Sequence, residues 1–432
     1  MTTASSSDNA SDAANTNEPG DTRAVHTWIF EPATSERNSK AFTDAGIEAI
    51  ANHKYKAGHY TFLDNLLNPI WTWLTNLLPM WLAPNAVTML GGLHCALSYF
   101  TTWYYSPNFA TPLPDWVVFL SGYCTIAYYT LDCMDGKQAR RTGQSSPLGQ
   151  LFDHGFDCIC NLAHSSTQAG YLLLESRWFF AFQGSLFFAF FMAQWEEYYT
   201  GMLPHAMGNF GVTEVNYSIG LFAIWNSLID RERFWTTPLG DFLPAFLLDG
   251  STPVAIPPPL LAAEIRYVGM GIWLLGAVFL CGCSFYRTVT SPFVRENHLR
   301  LSALSKLVTP FLIAVAPFWL PYHVLEQETR YISVGMGLLI SFLTKKMICF
   351  SMARQTFASI QMEAFPYFGI IWLIRSDYFN QHILTDQITK VILAGFCVYQ
   401  AYRLVTWAKL AIDQICTRLD INCLTIKHKK KD

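Results

Sequence analysis

The sequence has few charged side chains for its length of 432 residues. Asp, Glu, Lys and Arg make up 14% of the chain, against about 25% in typical soluble domains. Hydrophobic residues instead reach 51% and aromatic residues 15%. The length alone would allow two or three soluble domains, but this composition excludes them and indicates an integral membrane protein.

Features of several other protein classes are also missing. The formal net charge is −3, so no basic excess indicates a nucleic acid partner. The eleven cysteines form no CxxC pair and no zinc-spaced pair with histidine, which favours free thiols over disulfides or zinc. Residues 1–25 lack the apolar core of a signal peptide. We therefore expect residues 1–40 to be a disordered cytosolic tail.

Long apolar stretches predict an all-α polytopic membrane bundle, because a spanning helix needs about 20 mostly apolar residues. About ten spans are expected, at residues 84–104, 115–135, 147–173, 178–200, 213–230, 265–287, 307–323, 331–351, 362–378 and 385–408. Residues 41–82 are amphipathic and interrupted by Pro69. They predict helices that lie on the bilayer interface or pack on the cytosolic side of the protein.

Basic residues are unevenly distributed between the predicted loops. With a cytosolic N-terminus, the loops after even-numbered spans are basic, whereas the acidic segment 324–329 lies on the opposite side. We expect residues 83–290 (spans 1–6) to form a catalytic core, 291–410 to add spans 7–10, and 411–432 to be a basic cytosolic tail. Lys429 and Lys430 in that tail resemble an endoplasmic reticulum retrieval signal.

Four aspartates lie in the second and third predicted spans, where carboxylates are costly. Asp132 and Asp135 are three residues apart, and Asp153 and Asp157 are four apart, so each pair lies on one helical face. Two antiparallel helices would bring all four carboxylates to one gap, where they need cations to remain ionised. Oxygen ligands at this density suit Mg²⁺ or Mn²⁺.

Small and basic residues accompany these aspartates. Gly136, Ala139 and Gly149 leave room for a large ligand, and Lys137 and Arg140 offer donors to phosphate oxygens. Metal ions and cationic donors together predict a diphosphate substrate. The alternatives are a membrane prenyltransferase that uses Mg²⁺-diphosphate and a cation-coupled transporter. The prenyltransferase lacks this Gly/Ala/Gly spacing, and the transporter does not need it.

The complete spacing resembles the signature of the CDP-alcohol phosphotransferase family. All eight positions match in Asp132-x₂-Asp135-Gly136-x₂-Ala139-Arg140-x₈-Gly149-x₃-Asp153-x₃-Asp157. The segments DGKQARRT and SPLGQLFDHG are similar to the eukaryotic choline/ethanolamine phosphotransferase branch. The resemblance is clear over about residues 50–230. It implies transfer of phosphoethanolamine or phosphocholine from CDP-ethanolamine or CDP-choline to diacylglycerol or alkyl-acylglycerol, with release of CMP.

The resemblance also implies roles for individual residues. The metal-binding positions, expected to hold two Mg²⁺ or Mn²⁺ ions, are Asp132, Asp135, Asp153 and Asp157. The CDP-binding positions are Gly136, Ala139, Arg140 and Gly149, with Asn85 reaching toward the diphosphate. Asp157 matches the position usually described as the general base. The family is consistent with an enzyme of the endoplasmic reticulum membrane whose active site faces the cytosol, and it leaves a homodimer open.

The identity of the base has two candidates. A carboxylate that ligates two cations is a poor base, which favours the imidazole of His154, oriented by Glu214, over Asp157. His154 could otherwise be an interfacial histidine bonded to backbone. Glu214 could be a carboxylate at a helix start, where the helix dipole favours it.

Aromatic residues at the end of the fourth predicted span suggest a site for the cationic headgroup. Trp195 and Tyr198 flank Glu196 and Glu197, and aromatic faces with a carboxylate suit an ammonium group through cation–π contact. The alternative is an interfacial aromatic belt, which needs no ligand.

Overall fold

The computed structural model of the protein describes residues 40–53, 60–109, 111–204, 206–244, 247 and 256–427. Most of residues 1–40, together with Lys429 and Lys430, lie outside these ranges. A helix lies at each of the ten predicted span positions, and the all-α prediction is confirmed. These helices are α3 (Pro84–Tyr105), α4 (Asp115–Thr142), α5 (Pro147–Tyr171), α6 (Ser176–Thr200), α7 (Val212–Asn226), α10 (Ile265–Thr290), α12 (Arg300–Val315), α14 (Thr329–Met352), α15 (Phe365–Arg375) and α17 (Asp386–Leu419).

Shorter elements connect these helices. They are α1 (Asp44–Ala51), α2 (Phe62–Leu77), α8 (Arg231–Thr236), α9 (Pro258–Leu261), α11 (Pro292–Glu296), α13 (Tyr322–Gln327) and α16 (Asp377–His382). Short 3₁₀ turns lie at Leu239–Phe242, Ala316–Trp319 and Met362–Ala364. A two-residue antiparallel pair, β1 (Ala206–Met207) and β2 (Phe210–Gly211), precedes α7.

The protein is a multi-pass membrane protein. Five described helices are long and apolar enough to cross a membrane: α4, α10, α12 with its following turn, α14 and α17. Helix α15 has 11 residues and is about 17 Å long at 1.5 Å per residue, shorter than the ~30 Å hydrocarbon core. The number of ten spans therefore stays a prediction.

Two helices extend beyond the predicted spans, and one predicted interruption is absent. Helix α4 continues to Thr142 rather than ending at 135 and stops where Gly143 takes the left-handed conformation, with φ of 65°. Helix α17 continues to Leu419, so the segment predicted as a basic tail from residue 411 begins inside a helix. Pro69 does not break α2, which runs through it from Phe62 to Leu77.

Helix α4 is held closely against α7 by two glycines. A Cβ on Gly122 would lie 2.6 Å from the carbonyl oxygen of Gly220, and a Cβ on Gly220 would lie 2.5 Å from Ile126. Small residues of this kind let membrane helices approach at backbone distance. The contact fixes α4, which carries half of the aspartate signature, relative to the start of α7.

Helix α14 forms the centre of the bundle. In an apolar 18-residue stretch of α14, 83% of the residues are buried, whereas in the corresponding stretch of α10 only 17% are buried. Helices α5, α6 and α17 pack around α14, and α5 also packs on α3. The side chain of Arg330 in α14 donates to the carbonyl oxygens of Ser106 (2.7 Å) and Thr102 (3.1 Å) and so caps the end of α3. These contacts hold α5 between α3 and α14.

We predict that Gly122→Ala destabilises the protein by about 1–3 kcal/mol, the usual cost of forcing an extra methyl group into a packed contact. The new Cβ would meet backbone atoms of α7, including the nitrogen of Ile224 at 2.9 Å, and backbone cannot rotate away. Gly276→Ala is the matched control, because a Cβ there has nothing within 4 Å. Melting temperatures in detergent should separate the two variants; equal melting would contradict the close contact between α4 and α7.

Candidate active site

The aspartate signature lies on a helix–loop–helix unit made by α4 and α5. The four residues 143–146 connect the helices, with Gly143 ending α4 and Pro147 at the first turn of α5. Proline suits that position because the amide it lacks would have no partner inside the helix. The short connection brings the last turns of α4 next to the first turns of α5.

Three carboxylates converge at this junction. Oxygens of Asp132, Asp135 and Asp153 all lie within 4.8 Å of one another. Asp135 Oδ2 accepts a hydrogen bond from the Thr88 hydroxyl of α3. Among the described residues, Asp132 Oδ1 and Asp153 Oδ1 are buried without a hydrogen-bond partner. Buried carboxylate oxygens without donors are costly, so the group fits a divalent cation, which would supply the missing partner.

Asp157 is positioned differently from the other three aspartates. It lies one helical turn beyond Asp153, and its Oδ1 accepts a hydrogen bond from the hydroxyl of Tyr128. Within the part of the chain that is described, it belongs neither to the three-carboxylate group nor to the lining of the adjacent cavity. The structure thus brings together three of the four predicted metal ligands and places the fourth just behind them.

A cavity of about 500 Å³ opens over the three carboxylates. The predicted residues that line it, besides those aspartates, are Asn85, Gly136, Ala139, Arg140, Gly149 and His154. A Cβ on Gly149 would come no nearer to other atoms than 3.9 Å, to Asn85 Oδ1, and one on Gly136 no nearer than 3.6 Å, to Arg140. Protein packing therefore does not require glycine at either position, and both leave room over the cavity for a ligand.

Lys137 lies outside the cavity lining, contrary to the predicted phosphate contact. Its ammonium group donates to Asn68 Oδ1 and, at 3.3 Å, to the hydroxyl of Thr72, both on α2. One residue further along a helix turns the side chain by about 100°, so Lys137 faces α2 while Gly136 faces the cavity. Lys137 thus ties α2 to α4.

Glu214 is not the partner of His154 that the sequence suggested. Its Oε1 accepts from the backbone nitrogen of Leu63 at 2.9 Å, and its Oε2 accepts from that of Gly211 at 2.8 Å. The carboxylate therefore caps the starts of both α2 and α7, in agreement with the helix-start alternative. His154 itself lines the cavity beside Asp153.

Trp195 and Tyr198 are fully buried, each with 0% exposure. The Trp195 indole donates to the carbonyl oxygen of Ala303, and the Tyr198 hydroxyl donates to that of Gln355, both at 2.9 Å. Neither lines the cavity over the aspartates. Their rings are covered by protein, so the structure supports neither the headgroup site nor the aromatic belt and gives both residues a packing role.

Sequence reasoning missed several residues that line the cavity. Several lie in the N-terminal part, α4 and α7, among them His53, Tyr60, Thr61, Asp64, Tyr129 and Thr213, and others lie near the C-terminus, at Ile421, Asn422, Cys423 and Thr425. Tyr129 could have been found, because it precedes Asp132 by three residues and so shares its helical face. The other positions carry no local signal that connects them to the aspartates.

Comparisons with known proteins agree with this geometry. The profile of the CDP-alcohol phosphatidyltransferase family matches residues 81–224, which include all eight signature positions. Choline/ethanolaminephosphotransferase 2 of Arabidopsis thaliana is 29% identical over 401 residues, which cover 89% of this chain and 98% of the relative. Cholinephosphotransferase 1 of Homo sapiens is 26% identical over 393 residues, or 89% of each chain.

A third relative is an uncharacterised CDP-alcohol phosphatidyltransferase class-I family protein of Dictyostelium discoideum, 29% identical over 89% of this chain and 98% of its own. The likeness extends well beyond the residues 50–230 on which the sequence resemblance depended. Residues 81–224 thus match the CDP-alcohol phosphatidyltransferase family, and the chain is similar over most of its length to choline- and ethanolaminephosphotransferases.

Proposed function

We propose that the protein transfers phosphoethanolamine or phosphocholine from CDP-ethanolamine or CDP-choline to diacylglycerol or alkyl-acylglycerol and releases CMP. The observation that carries the proposal is the convergence of Asp132, Asp135 and Asp153 under a cavity of about 500 Å³. The open space over Gly136 and Gly149 supports it, because a nucleotide diphosphate needs close approach to backbone there.

The three carboxylates are the residues that would hold Mg²⁺ or Mn²⁺, and Asp157 is near enough along α5 to contribute to a second ion. A divalent ion held there would supply positive charge to neutralise the negative charge that develops at phosphorus. Arg140 lines the cavity and is exposed, so its guanidinium can donate two parallel hydrogen bonds to the diphosphate. Thr88 holds the carboxylate of Asp135 in place from α3.

His154 is the better candidate for the base. It lines the cavity, whereas Asp157 lies outside that lining and already accepts a hydrogen bond from Tyr128. His154 would take the proton of the lipid hydroxyl as the oxygen attacks the β-phosphorus. The bond from that phosphorus to the bridging oxygen then breaks, and CMP leaves with its electron pair. Both oxygens of the Glu214 carboxylate accept hydrogen bonds from backbone amides, so Glu214 takes no part in this step.

The headgroup would bind at the wall formed by the starts of α2 and α7. Tyr60, Asp64 and Tyr129 line the cavity there. The Thr213 hydroxyl donates to Asp64 Oδ1 and lies 2.7 Å from the Tyr129 hydroxyl, so the wall is held by a chain of hydrogen bonds. Aromatic rings beside a carboxylate suit the ammonium group of choline or ethanolamine.

The enzyme would lie in the endoplasmic reticulum membrane with its cavity toward the cytosol. The support for this orientation is the charge of the loops. The connection between α4 and α5 follows Arg140 and Arg141, and that between α10 and α12 carries Arg295 and leads directly into Arg300. Basic loops of membrane proteins lie preferentially on the cytosolic side.

We predict that Asp132→Asn and Asp153→Asn abolish transfer to diacylglycerol from both CDP-choline and CDP-ethanolamine. Each change removes a charge that holds a divalent ion, so Mn²⁺ binding followed by electron paramagnetic resonance should weaken in parallel. Asp413→Asn, at an exposed position on α17, is the control for loss of a carboxylate. Normal turnover by either folded variant would show that the aspartate group is not the reaction centre.

His154→Ala should lower turnover by roughly 10²–10⁴-fold, the usual contribution of a general base, while CMP and Mn²⁺ still bind. Asp157→Ala should weaken Mn²⁺ binding as well as turnover if Asp157 contributes a metal ligand. Rates at saturating substrate and CMP affinities by calorimetry distinguish these results. A fully active His154→Ala enzyme would transfer the role of base to Asp157.

Tyr60→Ala should raise the KM for the CDP-alcohol by about two- to fivefold, as expected for loss of one exposed cation–π contact. Tyr60 is 64% exposed, so the change should cost little stability. Tyr60→Phe keeps the ring and serves as the matched control. CMP lacks the headgroup, and its affinity should not change; a parallel loss of CMP affinity would place Tyr60 at the nucleotide instead.

A further inference from the structure

The chain returns to the active site after its last long helix. Helix α17 ends at Leu419, and the next residue, Asp420, takes the left-handed conformation with φ of 54°. Ile421, Asn422, Cys423 and Thr425 then line the cavity over the aspartates. We call residues 420–427 the C-terminal strap. It follows the end of α5 by about 250 residues but forms one wall of the same cavity.

The helix that carries the strap is fixed to the N-terminal part of the protein. Gln414 Oε1 accepts from the backbone nitrogens of Ala41 at 2.6 Å and Phe42 at 2.9 Å. Arg418 donates to both oxygens of Glu48 in α1, at 2.5 and 2.7 Å. The end of α17 is therefore held in place, and the strap leaves it in a defined direction.

Two contacts join the strap to the start of α3. Leu82 and Thr425 form an antiparallel backbone bridge. Asn85 Nδ2 donates to the carbonyl oxygen of Cys423 at 3.0 Å. Asn85 is buried, with 7% exposure, and lies in the first turn of α3. The Asn85 amide nitrogen thus donates a hydrogen bond to a segment 338 residues away in sequence.

The bond to Cys423 determines which way the Asn85 amide faces. With Nδ2 turned toward the strap, Oδ1 faces the cavity, where it lies 3.9 Å from the position of a Cβ on Gly149. An amide that could rotate freely would present oxygen or nitrogen to a ligand with equal ease. The strap removes this freedom and leaves an acceptor beside the open space over Gly149.

We propose that the strap is a positioning element of the donor site, which holds the Asn85 amide with Oδ1 toward the hydroxyl and amino donors of the CDP moiety and closes one wall of the nucleotide cavity. This inference rests on the proposed function, since it takes the cavity to be the nucleotide site. Among the described residues, no hydrogen bond joins the strap to Asp132, Asp135 or Asp153. It therefore acts on donor binding and not on the metal ligands.

The test compares two truncations of the full chain. One stops after Leu419 and removes the strap, and the other stops after Lys427 and keeps it. Loss of the strap should raise the donor KM and the Kd for CMP by about three- to tenfold, the range for one neutral hydrogen bond, with the KM for diacylglycerol unchanged. The longer truncation, as matched control, should behave as the full-length enzyme does.

A second variant keeps the full length of the chain, so that the strap is tested even if the truncated protein does not fold. Residues 421–426 are replaced by an alternating Gly-Ser segment of the same length, so that α17 and its contacts with α1 remain. CMP affinity should fall as in the truncation, whereas Mn²⁺ affinity without nucleotide should not. Asn85→Ala should produce a similar loss by itself and add little to the Gly-Ser variant, because coupled residues are not additive.

Equal CMP affinity in the full-length enzyme and the Gly-Ser variant would overturn the role of the strap. Additive losses on combination with Asn85→Ala would overturn its action through Asn85. A full-length enzyme that binds no CMP in the presence of Mn²⁺ would overturn the proposed function together with this inference. The first two results leave the proposed function intact, so the two failures can be told apart.

Discussion

The main physical constraint on this structure is the electrostatic free-energy cost of placing three carboxylates together inside an apolar helix bundle. Asp132, Asp135 and Asp153 lie within 4.8 Å of one another, where like charges repel strongly. Two of their oxygens lack a partner among the described residues. Such an arrangement is stable in charged form only with cations, and it is therefore typical of a metal-dependent site rather than of a structural core.

The surrounding helices are arranged so that this group stays in place. Close contact at Gly122 and Gly220 fixes α4 against α7, and α5 is held between α3 and the buried helix α14. Hydroxyl groups on neighbouring helices donate to two of the signature aspartates, Thr88 to Asp135 and Tyr128 to Asp157. The bundle thus restricts the carboxylates to one geometry before any substrate binds, which is the condition for electrostatic catalysis.

The floor and the wall of the cavity are formed by different parts of the sequence. The floor comes from one continuous segment, 132–153, whereas the wall combines the start of α2, the start of α7 and the strap after α17. Glu214 joins the first two of these by capping both helices, and Asn85 meets the third through Cys423. The residues proposed to bind the headgroup can therefore change without disturbing the three aspartates proposed to bind metal.

The sequence by itself determined the helical membrane class, the aspartate group and the small residues beside it. These features follow from local spacing, because a helix repeats every 3.6 residues and the connection between α4 and α5 is short. The roles of Glu214, Lys137, Trp195 and Tyr198 were decided only by the tertiary structure. Each has a chemically suitable side chain, but its direction depends on which helix packs beside it. The strap was unpredictable for the same reason: its contact with Asn85 spans 338 residues, and no local pattern encodes a contact that the path of the whole bundle creates.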